Sequence, residues 1–98
     1  MSRGYVVAML TISDAEAYKP YMETTRKLVE EYQGRYLIRG KPDSCKEGIP
    51  HHDRLVVIEF DNFEKADAFY NDQRYADIKK IRQKNSEGFL FLSKGYAS

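Results

Sequence analysis

Four short runs rich in β-branched, aliphatic and aromatic residues, Tyr5 to Ile12, Arg35 to Arg39, Arg54 to Phe60 and Phe89 to Leu92, are interleaved with two segments whose apolar residues recur every three or four positions. Each run is too short for a convincing helix and reads as a strand, while the wider spacing is that of an amphipathic helix. The order is therefore βαββαβ. That order is the ferredoxin-like arrangement of the α+β class, an antiparallel sheet with helices on one face. A length of 98 residues leaves room for a single domain, 1–98.

Local signals place the elements. In the first helical segment Ser13 and Asp14 supply capping oxygens, Tyr18, Tyr21, Met22, Thr25, Leu28, Val29 and Tyr32 form the stripe, and Gly34 follows as the expected C′ residue. Pro20 lies too deep for the first helical position and is expected to kink the first turns or delay the regular helix. Asp61 with Glu64 reads as a capping box for the second segment, which Asn71 and Asp72 break in two and Gly88 ends. Gly40 to Asp53 is a loop too long for a tight hairpin, and loops of that length are often functional.

Charge and composition exclude several classes. Sixteen basic against 15 acidic side chains leave +1 with both histidines neutral, far from the excess that neutralises many phosphates. The strand RLVVIEF also offers aliphatics where an RNA-recognition domain needs exposed aromatics, so nucleic acid is not an expected partner. No apolar run approaches the ~20 residues of a membrane span, and the N-terminus lacks a signal-peptide pattern. The only cysteine, Cys45, has no internal disulfide partner. The expectation is a soluble cytoplasmic protein with no membrane partner.

Side chains alternate across a strand, so the two sheet faces can be read separately. The even positions Val6, Ala8, Leu10, Ile12, Tyr36, Ile38, Val56, Ile58 and Phe60 are apolar and should meet the helices. The odd positions Tyr5, Val7, Met9, Leu37, Leu55 and Val57 are also largely apolar, but are joined by Arg35, Arg39 and Glu59. At ~25 cal/mol per Å² of apolar surface, leaving such a face in water forfeits several kcal/mol. A second copy related by a two-fold axis is expected to cover it, giving a homodimer with charges inside or at its rim.

Gly4-Tyr5-Val6, Asp14 with Tyr18 and Tyr21, Gly34-Arg35-Tyr36-Leu37 followed by Arg39-Gly40, Glu47-Gly48, the strand Arg54 to Phe60, Ala68 with Tyr70-Asn71, Tyr75 and Arg82 extend over nearly the whole chain. In this combination the sequence resembles the family called domain of unknown function 1330, within the dimeric α+β barrel superfamily. It departs from the family pattern at Lys41, where a second glycine is common, at Ile49 to His52, and at Asp72-Gln73. The resemblance implies a homodimeric ferredoxin-like fold without an established activity. The superfamily includes cofactor-independent monooxygenases, lactone isomerases and haem-degrading enzymes, and shared fold is not shared function.

The candidate chemistry follows from the mixed face and the loop. Glu59, in a partly apolar cavity, would have a raised pKa suited to proton transfer; the plainer reading is an ion pair with Arg35 or Arg39. Arg39 can grip an anion through its bidentate fork, or form a structural salt bridge. His51 or His52 could act as a base at the cavity mouth. Together with Cys45 the two histidines lack metal-ligand spacing, so neither metal nor cofactor is expected. Tyr70 and Asn71, with Tyr75, cluster at the helix break, where they either address a ligand or simply cap and pack. Arg82, amid Lys79, Lys80 and Lys84, reads as part of a solvated basic face. The candidate set is thus Glu59 and His52 as catalytic residues, and Arg39, Arg54, Tyr70 and Asn71 as substrate-binding residues. The function expected is small-molecule binding, with an anion as one candidate, in a cavity between sheet and dimer partner. Its two forms are a cofactor-independent monooxygenase- or isomerase-like enzyme and a non-catalytic binding or regulatory module.

Overall fold

The structure, a computed structural model, describes residues 2–96. Its elements are β1 (Gly4–Ile12), α1 (Ala15–Glu31), β2 (Arg35–Gly40), β3 (Arg54–Phe60), α2 (Phe63–Tyr70), α3 (Gln73–Asn85) and β4 (Ser86–Lys94). The strands form one sheet in the order β2-β3-β1-β4, each neighbouring pair antiparallel. This is the ferredoxin-like α+β fold, with the second helical segment in two pieces as the Asn71-Asp72 break predicts. No helix among the described residues is long and apolar enough to cross a membrane.

The helix ends show how local chemistry sets the boundaries. The Asp14 carboxylate accepts from the Ala17 amide at 3.1 Å, and α1 then runs through Pro20 as one element to Glu31. At its far end the left-handed residue is Gln33 (φ 61°), not Gly34. The amides of Gln33 and Gly34 return to the carbonyls of Glu30 and Val29, closing a Schellman turn. Gly34 is needed for a different reason: a Cβ there would stand 2.6 Å from the Phe60 ring. The cap of α2 also lies one residue later than the expected capping box. Asn62 accepts from the Lys65 amide at 2.8 Å, while Asp61 is drawn into ion pairs with Arg3, Arg35 and Lys65. Gly88 does not end a helix. It lies inside β4 at φ 142°, where an added Cβ would collide with the Met9 carbonyl of the neighbouring strand.

One sheet face packs as expected. Val6, Ala8 and Leu10 of β1 and Ile58 and Phe60 of β3 bury against Tyr18, Leu28 and Val29 of α1, with Phe69 and Tyr75 closing the far side. Phe60 and Phe69 lie 5.3 Å apart and Phe69 and Tyr75 4.9 Å apart, ring centre to ring centre, within the range of favourable aromatic pairs. No helix among the described residues lies on the other face. Val7, Met9, Leu55 and Val57 are only half-buried there, and Phe89 and Phe91 stack on one another with 48% of each exposed.

The expected alternation breaks at one place. In β2, Arg35 stands opposite Glu59 and Tyr36 opposite Ile58, but then Ile38 stands opposite Val57 and Arg39 opposite Val56. Leu37 is an extra residue, a β-bulge. Beyond it the two faces exchange. Ile38, expected beneath the helices, joins Val57 on the open face and is 44% exposed; Arg39, expected on the open face with Glu59, joins Val56 on the helix side. A single inserted residue reverses every later side chain because the strand period is two.

Candidate functional site

The reversal at Leu37 brings Arg39 to a cavity of about 40 Å³ enclosed between the sheet and the helices. The cavity therefore lies under the helices, not against the open face where a dimer partner is expected. Its floor is the apolar helix-side surface of the sheet, including Ala8, Val56, Ile58 and Leu90. Tyr18, Tyr21 and Thr25 of α1, Phe69 of α2, Tyr75 of α3 and Tyr36 of β2 form its walls. Three arginines complete the lining: Arg39, Arg54 and Arg82.

Each arginine arrives by a different route. Arg39 is exposed at the edge strand, with its guanidinium 5.1 Å from the centre of the Tyr36 ring, and also borders an outer groove with Lys19, Met22, Glu23 and Arg26. It marks the mouth. Arg54 opens β3 opposite Leu10, an even position that faces the helices. One of its terminal nitrogens lies 3.6 Å from the Met22 sulfur, while its Nε is buried with no hydrogen-bond partner. Arg82 is seven residues beyond Tyr75, two turns of α3, and so shares its inward face. It is 8% exposed, and its Nε is likewise buried without a partner.

None of the three arginines takes part in an ion pair among the described residues. Among the described residues the lining contains no aspartate, glutamate or histidine. An Nε–H buried without an acceptor forfeits the hydrogen bond it would make to water unless a ligand supplies one. The Thr25 hydroxyl is also buried without a partner.

The tyrosines add neutral donors. The Tyr21 and Tyr75 hydroxyls lie 2.6 Å apart in the buried interior. Burial pushes the Tyr21 hydroxyl well above its ordinary value and that of Tyr18 up to about 12, and raises Tyr36 as well. All three remain protonated at neutral pH. The arrangement is thus rich in hydrogen-bond donors and poor in bases, suited to hold an anion or a developing oxyanion rather than to remove a proton.

The candidate residues divide between the two sides of the sheet. Arg39 and Arg54 meet in the cavity. Glu59 stands on the open face, where the Tyr5 hydroxyl donates to it at 2.7 Å and Arg35 Nε at 2.8 Å. The hydrogen bond from Tyr5 and that from Arg35 hold its carboxyl below the ordinary 4.5, the opposite of the shift expected in an apolar cavity. Glu59 and Arg39 therefore do not share a site, because the bulge separates them. His52 also reaches the open face, with Nδ1 2.9 Å from the Thr11 hydroxyl and its ring 6.3 Å from that of Phe89. Thr11 is six residues along β1 from Tyr5, about 20 Å at ~3.3 Å per residue, so His52 and Glu59 do not meet either.

Tyr70 lies beside the cavity, in an open groove with Arg82, Gln83 and Glu87, with Lys79 above its ring at 4.7 Å. Asn71 is exposed and ends α2 through its backbone, the amide returning to the Asp67 carbonyl. Among the described residues no group of three or more His, Cys, Asp or Glu side chains could hold a metal. The residues missed from sequence are Arg82, Thr25 and the tyrosines. Tyr75 and Arg82 at a spacing of seven, one aromatic and one cationic on a single helix face, were the signal available.

The family model described as "Domain of unknown function (DUF1330)" matches residues 3–96. A comparison with curated proteins found no match. Among solved structures, the chain is similar to RPA0582, a protein of unknown function from Rhodopseudomonas palustris, with 17% identity, 99% of this chain and 85% of that chain covered, and a TM-score of 0.78. It is similar also to SnoaB, a cofactor-independent oxygenase from Streptomyces nogalater, with 9% identity over 100% and 97% of the two chains and a TM-score of 0.63. A protein from Bacteroides thetaiotaomicron described as a possible oxidoreductase shares 14% identity over 95% and 97%, with a TM-score of 0.57. At these identities the likeness is one of fold.

The Glu59 cluster has a pH signature. A carboxyl whose pKa is lowered on folding adds stability above its unfolded pKa, and that contribution is lost as pH falls through the folded value. The stability difference between wild type and Glu59→Gln, measured by urea denaturation, should be largest near neutrality and shrink as pH falls below 4.5. A difference that grows on acidification would assign Glu59 the raised pKa of a buried acid.

Proposed function

The chain belongs to the DUF1330 family, and from that premise we propose that it binds a small anionic molecule in the arginine-lined cavity beneath its helices and works as a homodimer joined through the open sheet face. One observation carries the binding reading: Arg54 and Arg82 bury Nε donors that have no partner, in a cavity whose lining offers no negative side chain. A guanidinium so placed gains most from a carboxylate or another oxyanion, which accepts in the plane of its fork. At about 40 Å³ the cavity is far smaller than the ~300–1,000 Å³ of a drug-sized site, so it takes the head group of a ligand whose remainder lies toward the mouth at Arg39.

A catalytic reading rests on a second feature. The protonated tyrosines and the arginines are donors that would stabilise negative charge developing on oxygen, as in an enolate. SnoaB is a cofactor-independent oxygenase, and the likeness of fold makes such chemistry the natural catalytic candidate. The absence of a carboxylate or imidazole from the lining favours binding as the primary role. Glu59 and His52, on the open face, would serve chemistry only at a site formed with a partner chain.

The homodimer is supported by the open face itself. Val7, Met9 and Val57 lie there beside the half-exposed Phe89 and Phe91, and Ile38 joins them through the bulge. Such a contiguous apolar surface on a small protein marks an interaction site.

Arg39 stands at the mouth and is exposed, so its truncation should leave the fold intact. In thermal melts with a panel of small carboxylates, the ligand that stabilises wild type should lose most of its effect in Arg39→Ala. At a hundredfold excess over Kd that effect is worth about 2.7 kcal/mol. An unchanged shift in the variant contradicts the site. For assembly, light scattering should give twice the 11.5 kDa chain mass, and Val57→Asp, which places an unpaired charge in the interface, should give monomer or aggregate. A wild-type chain that is a soluble folded monomer contradicts the dimer.

A further inference from the structure

Resting on the anion-binding reading, we infer that the cavity selects small dianions over monoanions, a short dicarboxylate being the best fit, with Arg54 and Arg82 each meeting one negative group. The two buried Nε donors come from opposite walls. Arg54 rises from the start of β3 in the sheet, and Arg82 descends from α3. The Tyr18 hydroxyl stands within electrostatic reach of both, and Tyr36 within reach of both Arg54 and Arg39. Arg54 thus shares one tyrosine neighbour with Arg82 and another with Arg39.

The charge count distinguishes the ligand classes. A single carboxylate held by one of the two buried Nε donors leaves the other without an acceptor. Two negative groups on one small frame answer both. Outside, the balance is different: Lys19 and Arg26, which border the groove at the mouth, are paired with Glu16 and Glu30. The uncompensated charge is thus concentrated inside, at Arg54 and Arg82, with Arg39 at the opening. A dicarboxylate suits two separated donors better than a compact dianion such as sulfate, because its charges are held apart on a frame that can lie against Ala8 and Val56 of the apolar floor.

Calorimetric titration of the intact protein at constant ionic strength, at a pH where malonate is fully ionised, tests this with malonate, sulfate and acetate as probes. Malonate should bind at least about tenfold more tightly than acetate, with sulfate between them. In Arg54→Gln the preference for malonate over acetate should collapse to within about threefold, because only one buried counter-charge is still required. Arg82→Lys, which keeps the charge and removes the Nε donor, should weaken malonate more than acetate while circular dichroism confirms the fold. Acetate binding as tightly as malonate, with both lost in Arg39→Ala, overturns the dianion inference and leaves the anion site standing. Sulfate exceeding malonate overturns the dicarboxylate assignment. No binding of any probe overturns both the inference and the reading beneath it.

Discussion

Leu37 has no partner opposite it on β3, and the residues that follow it, Ile38 and Arg39, stand on the faces opposite to those their parity would give them. The consequences reach well beyond an edge strand. Ile38 extends the apolar surface of the open face, and Arg39 joins Arg54 and Arg82 in lining the cavity beneath the helices. Bulges cost little at edge strands, where the neighbouring ladder is already incomplete, and they re-aim side chains. β2 is such an edge.

The sheet then separates two kinds of electrostatics. On the open face the charges are closed among themselves: Arg35 pairs with Glu59 and Asp61, Tyr5 donates to Glu59, and Arg3 meets Asp61. On the helix side they are not. Arg54 and Arg82 sit among tyrosines whose hydroxyls stay protonated, so the local field is positive and its counter-charge has to come from outside the lining. A network that satisfies itself stabilises or specifies a fold; one that does not is a place for a ligand. The same contrast explains why Glu59, the residue with the most suggestive position in sequence, is the less suitable acid: its partners hold it ionised.

The elements and their order were legible because the signals were local. The short β-branched run in RLVVIEF, the cap at Asp14 and the break at Asn71-Asp72 depend only on neighbours in the chain. The site was less legible because its parts depend on pairing. A bulge is a property of two strands in register, and nothing in RYLIR taken alone marks Leu37 as the unpaired residue. Arg82 was hidden by its company, since Lys79, Lys80 and Lys84 make α3 read as a solvated basic face, while the spacing of seven to Tyr75 turns Arg82 inward. The tyrosines of α1 read as members of an apolar stripe, and the sequence gives no sign that the Tyr21 hydroxyl meets that of Tyr75 in the interior. Arg54 was the one cavity arginine whose parity and whose candidate role agreed.

The account centres on two buried arginine Nε donors with no partner among the described residues, for which we propose an anion as acceptor, and the side-chain Nε–H resonances of assigned arginines report on those donors directly. Titration of isotopically labelled protein with malonate should shift the Arg54 and Arg82 signals and slow their exchange with solvent, while Arg35, already bonded to Glu59, stays unmoved. Signals of Arg54 and Arg82 that remain fixed as malonate saturates the protein, or a shift confined to Arg35, would place the anion elsewhere and contradict the account.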